Sequence, residues 1–142
     1  MGVLFSKGGE MSCNSAIYCV NTTSQSYDAN SQMPFGYVVR RYGGNVRLDG
    51  NALMLRGAGY YAIDVVLNTA PTGAGDITAQ LYMDGVPVPG ASTTVTATAG
   101  DTVALPISCM VRNCGQCCES SLTLLVDAAH TPVGLTTRVI KQ

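Results

Sequence analysis

Apolar and polar residues alternate along most of the chain in short runs rich in Val, Thr, Tyr and Ile, and Gly, Pro, Asn and Asp cut the runs apart. No stretch keeps apolar residues at the 3.6-residue helical spacing for three turns, so the pattern predicts strands and no helix. Ten strands are expected, at Ala16–Val20, Tyr37–Tyr42, Asn45–Leu48, Ala52–Leu55, Tyr60–Leu67, Asp76–Met83, Thr93–Thr98, Thr102–Val111, Ser121–Ala128 and Leu135–Lys141. That number is enough for two packed sheets, and the fold class expected is an all-β, antiparallel sandwich. Asp84-Gly85 lies between two apolar runs, where both residues tolerate the positive φ of a type I′ hairpin turn. Asp49-Gly50 and Gly43-Gly44 mark two further turns, and 70–75 reads as a loop of small residues.

The longest expected strand carries the most information about surroundings. Residues 61, 63, 65 and 67 form one apolar face, while Tyr60, Ala62, Asp64 and Val66 point the other way. A second face that is half apolar is expected where a neighbouring subunit covers a sandwich from outside. Tyr60, Ala62 and Val66 are therefore the candidate self-association residues. Residues 1–15 lack core alternation and carry an apolar tip, Val3-Leu4-Phe5, beside Gly8-Gly9. They are expected to form an N-terminal docking arm, with residues 16–142 as one sandwich domain.

Composition sharpens this picture. Only 12% of residues are charged and the formal net charge is −1, a weakly charged surface that favours assembly. Arg40-Arg41 is the one basic doublet, too little for a phosphate-binding stripe, so no nucleic-acid partner is expected. Apolar runs are all shorter than a membrane span. The N-terminus lacks the pattern of a secretory signal, and export by that route is not expected. Met1-Gly2 through Ser6 fits the loose myristoylation pattern, but the second membrane signal needed for stable anchoring is missing.

The order of several short motifs resembles the tumour-necrosis-factor-like jelly roll, also seen in complement-type globular heads and the heads of collagen-like exosporium proteins. These are Gly57-Ala58-Gly59-Tyr60-Tyr61 before a long central strand, the 81–88 hairpin, Gly100-Asp101-Thr102-Val103-Ala104-Leu105, and the closing Leu135-Thr136-Thr137-Arg138-Val139-Ile140. The likeness spans roughly residues 46–142. It implies a jelly roll and a trimer with long strands packed about a three-fold axis; it does not imply one function. The chain departs from the pattern in having no Gly-X-Y stem and in its cysteine-rich stretch at 109–118. The 16–23 and 38–42 segments are similar to small phage or prophage structural proteins of gut Firmicutes.

Candidate chemistry is sparse. The single histidine, His130, falls in a stretch that reads as a turn, so a surface histidine without a nucleophile is expected. There is no nucleophile elbow, no phosphate loop and no acid pair set up in sequence, and no enzyme activity or cofactor is expected. Asp49, Asp76, Asp84 and Asp101 read as turn formers rather than calcium ligands. Asn21-Thr22-Thr23 is a glycosylation sequon taken as chance. Cys13, Cys19, Cys109, Cys114, Cys117 and Cys118 are candidates for disulfides or cross-links, with reduced thiols and a thiolate zinc site as the alternatives.

These features lead to the expectation of a non-enzymatic virion structural protein: a phage head fibre, decoration or spike trimer. Its expected partners are further copies of itself, capsid or tail neighbours reached through the arm, and a host-surface glycan or receptor. The alternative is a bacterial surface or spore appendage whose subunits are cross-linked by disulfides.

Overall fold

The computed structural model describes residues 15–113 and 119–141, which form eleven strands. These are β1 (Ser15–Asn21), β2 (Ser31–Met33), β3 (Tyr37–Tyr42), β4 (Val46–Asp49), β5 (Ala52–Arg56), β6 (Gly59–Pro71), β7 (Gly75–Met83), β8 (Val86–Ala97), β9 (Val103–Asn113), β10 (Glu119–Val126) and β11 (His130–Lys141). Two antiparallel sheets face each other, one ordered β3-β1-β11-β6-β9 and the other β4-β5-β10-β7-β8, with short β2 added beside β10. The all-β sandwich expected from alternation is the architecture found.

The core lies between the sheets and is built from the inward residue of each alternating pair. In β6 these are Tyr61, Ile63, Val65 and Leu67, each essentially inaccessible to solvent. They meet Leu53, Leu55, Ile77, Leu81, Leu122 and Leu124 from the facing sheet. A fully buried Leu or Ile contributes roughly 1.5–3 kcal/mol relative to an exposed one, so the interior alone accounts for why the chain closes as a sandwich. Tyr61 brings a polar end into this interior. Its hydroxyl lies 2.8 Å from the carbonyls of both Arg56 and Gly57, which satisfies it inside the core.

The differences from expectation have local causes. β2 is three residues long and leaves no alternation to detect, yet the segment after it buries Phe35 completely. β8 starts at Val86 rather than near Thr93, although it contains Pro87 and Pro89. Proline is tolerated there because β8 is the edge of its sheet, where a missing N–H breaks no ladder. β6 runs on to Pro71, and β11 opens at His130 instead of Leu135. Ser15, expected in the arm, is the first residue of β1; it pairs with Lys141 and its hydroxyl donates to Asn45 Oδ1 at 2.7 Å. The arm tip Val3, Leu4 and Phe5 lies outside the described residues. The hairpin turn is as expected, with positive φ of 53° at Asp84 and 80° at Gly85.

Candidate functional site: the outward face of the five-stranded sheet

Pairing register sets directly opposed side chains on the same face, so the outward surface of the β3-β1-β11-β6-β9 sheet can be laid out row by row. One row reads Tyr42, Ala16, Ile140, Ala62, Met110 and is wholly apolar. The next reads Arg40, Tyr18, Arg138, Asp64, Ser108. A third reads Tyr37, Val20, Thr136, Val66, Pro106. The face is thus two largely apolar rows with one polar row between them.

Among the described residues eleven large hydrophobic side chains are exposed, and ten of them belong to strands of this sheet. Val86, on β8, is the exception. The other sheet turns Arg47, Asp76, Thr78, Thr94 and Thr96 outward instead. Such one-sided exposure is what an association surface requires, whereas scattered exposed hydrophobics would need no explanation. The candidate self-association residues Tyr60, Ala62 and Val66 all sit on this face, with Tyr60 52% exposed and Ala62 partly covered.

The polar row is tied together. Arg138 donates to Asp64 Oδ2 at 2.7 Å and Ser108 donates to Asp64 Oδ1 at 2.9 Å. These two hydrogen bonds, with the guanidinium charge, hold the Asp64 carboxyl below its ordinary pKa. A groove of about 530 Å³ beside the row is lined by Tyr18, Val39, Arg40, Arg41, Tyr42 and Ile140 among others. Sequence reasoning found the β6 residues from alternation. It missed Met110, Ile140 and Tyr42, because that face emerges only when register is known.

The cysteines give a partial answer. Cys19 and Cys109 are free thiols. Both sit on the sheet's inner side, opposite Thr137 and Ile63, but β11 and β6 separate their strands. Three strand spacings amount to roughly 14 Å, far beyond the Cα separation of about 4.4–6.8 Å that a disulfide accepts. Within one chain these two candidates are therefore not linked to each other, and Cys109 lies in β9, inside the strand expected over Thr102–Val111. Burial pushes the Cys19 thiol up to about 11 and raises Cys109 as well, aided there by the nearby Asp64 charge. Cys13, Cys114, Cys117 and Cys118 lie outside the described residues.

His130 overturns its expectation as a surface side chain. It is 1% exposed, with Nδ1 2.6 Å from the Thr69 hydroxyl and its ring stacked on Tyr27 at 5.7 Å. Nε2 has no partner, and burial lowers the ring's pKa. Backbone bonds in both directions, 2.8 and 3.0 Å, tie Tyr27 to His130 and fasten the otherwise exposed 22–30 connection to the sandwich. Of the aspartates read as turn formers, Asp49 ends β4 before its turn, Asp84 sits in its turn with positive φ and Asp101 closes the turn after β8, whereas Asp76 lies within β7 opposite Thr96. Asp84 accepts from the Ser121 amide, Asp76 from the Thr96 hydroxyl and Asp101 from the Thr98 hydroxyl. Among the described residues no group of three or more His, Cys, Asp or Glu is placed to hold a metal ion, and no helix is long and apolar enough to cross a membrane. Asn21, in the sequon, is buried and donates to the Pro34 carbonyl.

With two sheets ordered in this way, solved structures align over most of the chain. Murine APRIL at pH 5.0 matches with a TM-score of 0.71 at 10% identity, covering 91% of this chain and 99% of that one. The fold is the tumour-necrosis-factor-like, complement-head-like jelly roll. The globular domain of zebrafish complement 1qA protein aligns with a TM-score of 0.65 at 7% identity, over 89% and 94% of the two chains. PRD1 vertex protein P5 aligns with a TM-score of 0.56 at 18% identity, over 90% and 96%. No protein-family model and no curated protein matches the sequence. The fold agrees with the resemblance read from the motifs; it leaves activity open, since this jelly roll carries unrelated functions.

Proposed function

We propose that the protein is a non-enzymatic structural subunit of a virion, a phage head fibre, decoration or spike that self-associates as a trimer through the outward face of the β3-β1-β11-β6-β9 sheet. The observation that carries this reading is the concentration of exposed hydrophobics on that one face. Closed rotational symmetry brings equivalent faces together about an axis, and the long β6 and β11 supply the continuous apolar rows such an axis needs. The likeness to PRD1 vertex protein P5 supports the virion setting. The appendage alternative draws on cysteine cross-links, and neither Cys19 nor Cys109 presents a freely exposed thiol for one.

Two measurements test the proposal. Light scattering on the purified protein is expected to give three times the 14.8 kDa subunit mass; a monomer at micromolar concentration overturns the trimer. Mass spectrometry of purified particles from cells induced to release them is expected to find the chain in fixed proportion to the capsid protein. Its absence from such particles overturns the virion role.

A further inference from the structure

Strand β3 ends the five-stranded sheet, and all six of its residues are exposed. It pairs with β1 alone, so among the described residues its outer row of N–H and C=O groups meets no backbone partner. Open edges invite further strands, and many proteins blunt them with charge. Here the charge is Arg40 and Arg41, yet Tyr37, Val38, Val39 and Tyr42 remain apolar and exposed on either side, Tyr42 at 64%. An edge guarded only against aggregation would not keep that much apolar surface.

The arginines decide what fits. Arg138 has Asp64, but Arg40 and Arg41 contact no carboxylate among the described residues. Full antiparallel overlap of two β3 strands sets Arg40 opposite Val39 and Arg41 opposite Val38, with four arginines crowded on neighbouring positions and no carboxylate among them. A second copy therefore leaves the arginines unmatched at this edge. An extended segment with adjacent carboxylates is admitted, because neighbouring residues on a strand face opposite sides and so meet Arg40 on one face and Arg41 on the other.

We infer that the β3 edge forms a strand-addition site for an acidic, otherwise β-branched extended segment of another protein. Main-chain bonds to β3 supply general affinity. Arg40 and Arg41 select carboxylates, and the exposed Tyr37, Val38, Val39 and Tyr42 of β3 itself pack against the apolar side chains. The site is the outer edge of β3, whereas self-association uses the outward face of the sheet, so the oligomeric state and the peptide binding are read separately.

The test uses a fluorescein-labelled, blocked peptide, Thr-Val-Glu-Glu-Val-Thr-Val, against its Lys-Lys counterpart. Anisotropy and amide hydrogen exchange are read on the full chain, with its oligomeric state recorded. The glutamate peptide is expected to bind at least tenfold tighter, to weaken with salt, and to protect alternate amides within 37–42. The double variant R40E/R41E should reverse the preference and R40S/R41S should abolish it; both changes are on an exposed edge, and circular dichroism checks that each variant folds. Equal affinity for the two peptides, no binding of either, a preference that survives R40S/R41S, or binding without protection at 37–42 overturns the inference.

Discussion

At the level of single residues, two buried side-chain polar atoms among the described residues stand without partners, His130 Nε2 and Thr137 Oγ1. They call for opposite treatment. Thr137 lies between Cys19 and Val65 in the middle of the sheet, where a hydroxyl contributes nothing and its desolvation costs about 1–3 kcal/mol. Thr137→Val keeps the shape and removes the orphan, so chemical denaturation should show a gain on the order of 1 kcal/mol. His130 is held by Thr69 and Tyr27, and Thr69→Val should destabilise by about 1–3 kcal/mol by stranding the ring's second nitrogen too. The ring also carries a pH dependence. Its folded pKa is lowered from 6.5 by burial, so the unfolded chain binds a proton first. Its contribution is complete above the unfolded value and is lost as pH falls from there through the folded value. The charges on the elements packed around it are turned elsewhere: Asp127 accepts from the Thr78 amide, Asp101 from Thr98, and Asp28 is exposed. Melting temperature should therefore fall as pH drops below 6.5, and His130→Phe should flatten that slope. An unchanged slope would assign the acid sensitivity to other groups.

Among the elements, strands with strict alternation were legible and strands defined by context were not. The 60–67 register was readable because each inward position is aliphatic or aromatic, and the 84–85 turn because Asp-Gly is among the few pairs that supply two positive φ values cheaply. β2 was not, since three residues carry no period, and the Pro-rich start of β8 contradicts strand propensity until its edge position is known. The His130 site was hidden for a similar reason. A histidine beside small residues looks like a turn, and only the pairing with Pro71 and Tyr27 draws it inside. Of the candidate face, alternation in β6 disclosed one strand, while the row partners on β1, β9 and β11 depend on register that no local pattern encodes. The connection from β2 to β3 holds a constraint of its own. Gly36 adopts φ of 95°, and a Cβ there would lie 2.1 Å from the Val20 carbonyl oxygen, a backbone atom that cannot give way. Gly36→Ala should cost at least about 2 kcal/mol from the left-handed backbone and the clash together. Thermal unfolding checks it, and a shift near zero would mean that β3 detaches without loss to the core.

For the molecule as a whole, the polar row across the candidate face is the part whose value changes on assembly. In the free subunit Arg138 and Asp64 are substantially exposed, with side chains at 59% and 41%, so the pair adds no more than about 1 kcal/mol and Arg138→Ala should barely move the melting temperature. Once neighbouring copies cover the apolar rows above and below, the same pair loses its water. An unpaired Asp64 then becomes a buried charge, and breaking such a pair costs about 3–5 kcal/mol. Arg138→Ala should therefore weaken self-association by on the order of 100-fold or more while leaving the subunit folded. Replacing both partners with apolar residues, D64V/R138M, removes the stranded charge and should restore assembly to near the parent level. Sedimentation over a concentration series separates the outcomes. Assembly that is equally weak in the single and double variants would mean that Arg138 acts through a contact of its own with the neighbour. Assembly that is unchanged in Arg138→Ala would place the interface away from this face and remove the basis for the trimer.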